Sequence, residues 1–116
     1  MVADFAPAVL DELVAATDAA TVRDVIAIFR ADAPKILAEL REAHAAGDAV
    51  RLGRLAHRFK GATGSLGLAA AQGLCQRLEQ QARLGAAGCG EHLAQLGALI
   101  EGGQAGLDRY EAGLPG

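Results

Sequence analysis

Apolar residues recur along this chain at spacings of three and four, the period of a helix with one buried face. Val22, Val25, Ile26, Phe29, Ala33, Ile36, Leu37 and Leu40 form the longest such series. It predicts a helix with Thr21 as N-cap and Asp24 in its first turn, where the dipole favours a negative charge. Pro34 falls inside the series without shifting its phase, so a kink is expected rather than a break. Upstream, Pro7 suits a first helical position, and Val9, Leu10, Leu13 and Val14 make a short stripe that predicts a helix lidding one end of a bundle. Downstream, Gly47 ends the long helix and Asp48 caps a third, so these two should be antiparallel neighbours.

The third helix places Leu52, Leu55, Ala56, Phe59 and Thr63 on one face and Gly53, His57, Lys60, Gly61 and Gly64 on the opposite one. Gly67 stands near its end. A fourth helix is predicted from about Leu68 to Leu84, with Leu68, Ala71, Leu74, Cys75, Leu78 and Ala82 inward and Gln72, Gln76, Glu79 and Arg83 on its flank or outer side. The glycines between Gly85 and Glu91 predict a turn. Leu93, Leu96, Leu99, Ile100, Gly103 and Leu107 give the buried stripe of a last helix, Tyr110 closes the far end of the core, and the tail GLPG frays. The fold expected is all-α: one domain over residues 1–116, an up-down-up-down four-helix bundle with a short N-terminal capping helix.

Composition narrows the partners. A chain of 116 residues with 3% aromatics can bury a core without disulfides or metal. Its net charge of −3 argues against nucleic acid or an anionic membrane as the ligand, since phosphate backbones need a concentrated basic surface. Cys75 and Cys89 form no CxxC pair, with Cys75 expected in the core and Cys89 exposed between glycines. No basic leader precedes an apolar run and no stretch reaches spanning length, so a cytoplasmic setting is expected.

The chemistry gathers in AHRFKGATGSLG, Ala56 to Gly67. A histidine on a helix is most often an ordinary surface residue. An exposed imidazole, with an ordinary pKa of ~6.5, nevertheless offers a nucleophilic ring nitrogen at neutral pH. Lys60, one turn on, would set a cation beside a phosphoryl group formed there. Three glycines in one helix give up on the order of 3 kcal/mol against alanine, a loss that close approach of a partner would explain. The other glycines of this chain, 15 in all, weaken that reading. His44 is read as a favourable charge near a helix C-terminus, and His92 as a surface residue in the first turn of the last helix. No spacing pairs them with acids as metal ligands.

The string H-x-F-K-G-x-x-G-x-L-G, carried by His57, Phe59, Lys60, Gly61, Gly64, Leu66 and Gly67, resembles the signature of histidine-containing phosphotransfer (HPt) domains of two-component phosphorelays. The short first helix, the A-x-x-G-D turn at Ala45 to Asp48 and the L-E-x-x-A-R run at Leu78 to Arg83 are also similar to the family, so the likeness covers most of the chain. It implies that His57 accepts a phosphoryl group, that Lys60 steadies its charge and that Glu79 hydrogen-bonds the imidazole from the next helix, leaving Nε2 free. It further implies a partner-contacting set of Gly53, Arg58, Gly61, Gly64, Gln76 and Arg83, facing receiver domains of response regulators and a hybrid histidine kinase. The chain departs from the commonest pattern at Arg58, and at Ala62 and Thr63, whose small and hydroxylated residues are often in the reverse order. No Gly-rich phosphate loop or acidic magnesium cluster is present, so the reading is a phosphoryl carrier without cofactor, a monomer rather than an enzyme, with metal and catalytic groups supplied by the partner. The alternatives are a helical adaptor never phosphorylated, and the substrate module of a chemotaxis-type kinase with a catalytic domain downstream.

Overall fold

The computed structural model describes residues 5–115; the first residues of the MVADFAPAVL start and the final glycine of the GLPG tail lie outside them. Every regular element among the described residues is helical: α1 (Pro7–Ala16), α2 (Ala19–Ala45), α3 (Ala49–Ser65), α4 (Ala69–Ala82), a 3₁₀ turn (Ala86–Cys89) and α5 (Gly90–Ala112). None of these helices is long and apolar enough to cross a membrane.

The N-cap of α2 is Asp18, not Thr21. Asp18 has extended backbone angles, φ −163° and ψ 172°, and its carboxylate accepts the backbone N–H of Thr21 at 2.7 Å. Asp24 therefore lies beyond the first turn, which holds no acid. The helix runs through Pro34 as one element of 27 residues, about 40 Å at 1.5 Å per residue, and this sets the long dimension of a body 46 × 27 × 19 Å. Ala33, Ile36, Leu37 and Leu40 are buried on both sides of the proline, so packing holds the phase that the missing N–H would otherwise weaken.

Two glycines make the turns that hold α3. Gly47 (φ +69°) and Gly67 (φ +78°) adopt the left-handed conformation that side chains resist. At the first, Gly47 N–H donates to His44 C=O at 3.1 Å and Asp48 N–H to Ala43 C=O at 2.9 Å. At the second, Gly67 N–H donates to Gly64 C=O at 3.2 Å and Leu68 N–H to Thr63 C=O at 3.0 Å, the same paired closure. Asp48 also starts α3, accepting the N–H of Arg51 at 3.1 Å. The start of α1 is hooked onto the second turn, where Ala6 N–H donates to Gly67 C=O at 2.9 Å.

α2 packs against α3 and α5, α3 against α4, and α4 against α5, around one apolar cluster. All five residues assigned to the inward face of α3 are buried, and Phe59 stacks on Phe29 with ring centroids 5.9 Å apart. The inward set of α4 is buried as expected, but the helix ends at Ala82 and leaves Leu84 83% exposed. In α1 Leu10 is buried, whereas Val9 is exposed.

Three local expectations change. Cys89 is buried, because the glycine segment winds into a 3₁₀ turn that turns the thiol inward, its Sγ 3.8 Å from Gly85 C=O. His92 is half-buried, with Nδ1 enclosed and without a hydrogen-bond partner among the described residues, rather than a surface residue. The tail is tied down as far as Pro115: Arg23 donates to Leu114 C=O at 3.1 Å and to Pro115 C=O. Nearby, Tyr110 packs edge-on to Phe5 and its hydroxyl donates to Asp11 at 2.6 Å; burial, then Asp11, pushes the phenol up to about 12.

Candidate functional site

With Leu55, Ala56 and Phe59 committed to the core, α3 has no choice but to turn His57 outward, and its side chain is 66% exposed. α4 lies beside it and supplies Glu79, 18% exposed, whose Oε2 is 2.9 Å from His57 Nδ1. The other carboxylate oxygen, Oε1, accepts from Lys60 Nζ at 3.0 Å. Arg83, the C-cap of α4 and one turn beyond Glu79, brings Nη2 to 4.0 Å from Oε2. One acid thus holds two cation-capable groups of α3 and lies near a third at the C-cap of its own helix.

The hydrogen bond from Lys60, and after it that from His57, holds the Glu79 carboxyl below the usual carboxylate range against the opposing effect of burial. An ionised carboxylate is an acceptor only. Nδ1 of a neutral imidazole facing it must carry the ring proton, and the lone pair then sits on Nε2. The nitrogen that can attack an electrophile is therefore the one on the far side of the ring from Glu79.

Each remaining site residue of the sequence reading has a definite place. Gly61 is exposed, and a Cβ added there would meet nothing within 4 Å. Gly53 would carry a Cβ 3.6 Å from that of Ala82, an ordinary contact. At Gly64 an added Cβ would displace the amide end of the exposed Gln72 side chain on α4. Arg58 and Gln76 are exposed on α3 and α4. Lys60 is half-buried, its ammonium on the carboxylate that also meets the His57 ring. Among the described residues no three His, Cys, Asp or Glu side chains cluster as metal ligands. Burial pushes the Cys75 thiol up to about 12, which keeps it protonated and inert at neutral pH.

An open groove of about 610 Å³ runs from His57 and Glu79 along Gly53, Arg54, Val50 and Ala49 of α3 and Ala82 and Arg83 beside them. Sequence reading missed Arg54. Its signal was available, because a residue three before His57 lies on the same helical face.

A family model described as Hpt domain matches residues 24–106, a span containing all of α3 and α4 and most of α2 and α5. Comparisons with curated proteins and with solved structures give no match. An exposed histidine paired with an acid across two adjacent helices, within an all-helical chain matched over most of its length, places the protein: it belongs to the Hpt domain family, the phosphotransfer modules of two-component signalling.

Proposed function

We propose that His57 carries a phosphoryl group between receiver-domain aspartates, or from a histidine kinase to a response regulator. The observation that supports this most is the bond from His57 Nδ1 to Glu79 at 2.9 Å, because it directs the lone pair to an exposed Nε2. In the forward step Nε2 attacks the phosphorus of an aspartyl phosphate. The N–P bond forms, the acyl P–O bond breaks, and the aspartate leaves as a carboxylate. The proton stays on Nδ1, so the ring becomes a phosphoimidazolium whose positive charge faces Glu79. The reverse step returns the phosphoryl group to another carboxylate. Magnesium and most of the transition-state electrostatics come from the partner, which makes this chain a carrier rather than an enzyme.

In this reading residues 1–116 are a single domain, an up-down-up-down bundle of α2 to α5 capped by α1, working as a cytoplasmic monomer. Gly53 and Gly61 give a receiver domain close access, Gly64 keeps the surface low by seating Gln72, and Arg58, Gln76 and Arg83 contact the partner. Lys60 acts by holding Glu79 ionised and in place. The test is incubation with phosphorylated receiver domains and a histidine kinase: wild type takes up label that is acid-labile and base-stable, and His57→Gln takes up none. Label of the same level on His57→Gln would remove the acceptor, and no label on wild type with any receiver or kinase would leave an adaptor bundle. A bulky side chain at Gly61 lowers receiver affinity without lowering the melting temperature; unchanged affinity would refute close approach there.

A further inference from the structure

The sequence names Lys60 as the cation beside the phosphoryl group, yet its ammonium is spent on Glu79 at 3.0 Å and the side chain is only 26% exposed. We propose that Arg54 is the phosphoryl-binding residue of this site, holding the transferring group in the groove it shares with His57. This rests on His57 being the acceptor. Three observations converge on it.

The first is direction. Helical side chains lean toward the N-terminus of their helix, over the turn before their own Cα. That lean favours the Gly53 and Arg54 side of His57 over the Lys60 and Gly61 side, and the groove lies there: Gly53, Arg54 and His57 line it, whereas Lys60 and Gly61 do not. The second is space. Gly53 has no side chain, and a Cβ added there would meet the Cβ of Ala82 at 3.6 Å, so the groove floor beside His57 is low at this point. A phosphoryl group with its three oxygens fits a groove of about 610 Å³ with room for the donor's own atoms. The third is availability. Of the cations around His57, Lys60 is held by Glu79 at 3.0 Å, and Arg83, 4.0 Å from the same acid and 73% exposed, stands at the end of α4 rather than on the helix that carries the histidine. Arg58 is adjacent in sequence and so points about 100° away around the helix. Arg54 is exposed and makes no hydrogen bond or ion pair among the described residues. Its planar fork matches two phosphoryl oxygens at once, which a lysine cannot do.

The step needs no partner protein to be observed. Phosphoramidate donates to imidazole directly: Nε2 forms the N–P bond, the P–N bond of the donor breaks, and ammonia leaves with the nitrogen's electron pair and protons. The loading rate is followed against phosphoramidate concentration, with the modified residue located by mass spectrometry and the fold checked by thermal melts. Arg54→Gln lowers the second-order loading rate about tenfold, the loss of roughly one charge-assisted contact, and does so mainly by raising the apparent KM for phosphoramidate. Arg54→Lys restores part of it, since charge remains but the fork is lost. Lys60→Ala has the smaller effect on KM. If Arg54→Gln loads at the wild-type rate with label on His57, or if Lys60→Ala raises KM more, Arg54 has no such role while the carrier reading stands. If wild type is not labelled at His57 at all, the carrier reading and this proposal fall together.

Discussion

The α3–α4 side and the α2–α5 side of the molecule use the same two materials, glycine and charge, in opposite ways. Between Ala49 and Arg83 the chain carries six basic residues, Arg51, Arg54, Arg58, Lys60, Arg77 and Arg83, against one acid, Glu79. Since the whole chain holds 11 basic and 14 acidic residues, the remainder holds five against 13. A net charge of −3 thus conceals a basic α3–α4 segment in an otherwise acidic chain, with Arg51 spent on Glu39 and Glu42 of α2 and Arg77 turned toward Gln95 and Leu99 of α5. Glycine divides likewise. On α5, Gly97, Gly103 and Gly106 are recesses for Arg41, Leu68 and Phe5, and a Cβ at Gly103 would sit 2.8 Å from Leu68 Cδ2. On the other side, Gly61 of α3 and Gly73 of α4 face open space. Gly103 and Gly106 let α5 close on Leu68 and Phe5, whereas Gly61 and Gly73 leave a surface low; Gly64, which lies against Gln72, is the exception on α3.

The sharpest way to break this contrast is to cut the core that both sides share. Phe59→Ala removes a fully buried ring stacked on Phe29 and should cost about 3–5 kcal/mol, read from urea unfolding. A cost under ~1 kcal/mol would mean that α3 is held by its turns and not by its inward face. Gly103→Val tests the seam: overpacking against Leu68 should destabilise by about 1–3 kcal/mol. Gly61→Ala should do the reverse and raise stability by ~0.5–1 kcal/mol, because helix propensity improves and nothing is displaced. Equal signs for these two variants would dissolve the distinction between the sides.

The smallest effect is electrostatic. The Glu79 pKa is depressed in the folded chain, so its contribution to stability is present above the ordinary carboxylate value of ~4.3 and lost as pH falls through the lower folded value. The stability gap between wild type and Glu79→Gln should accordingly shrink between pH 7 and pH 3, by less than ~1 kcal/mol. A gap that widens on acidification would contradict the pairing with Lys60 and His57.

Periodicity carried most of the helices because burial on one face is a local property of sequence. The inward faces of α3 and α4 were legible residue by residue, and so was the spacing that puts His57 opposite the core. What escaped depended on backbone angles or distant partners. Asp18 and Thr21 are both good cap residues, and only the extended conformation of Asp18 decides between them. The tail looked loose because Arg23, which holds it, is 91 residues away from Leu114. The engagement of Lys60 by Glu79 was equally invisible, because it joins residues 19 apart on neighbouring helices.

The separation of bonded residues along the chain also has a consequence for how the molecule comes apart. His57 and Glu79 are 22 residues from each other, and the turn between their helices is closed by its own backbone bonds at Gly67. The clamp of Arg23 on the tail, and that of Tyr110 on Asp11, each join opposite ends of the chain. Loops that short close at little entropic cost, and long ones close last. Digestion by a protease, or force applied to the two termini, should therefore strip away the ends first and leave the α3–α4 hairpin, with its histidine and acid still in register, as the last piece to yield.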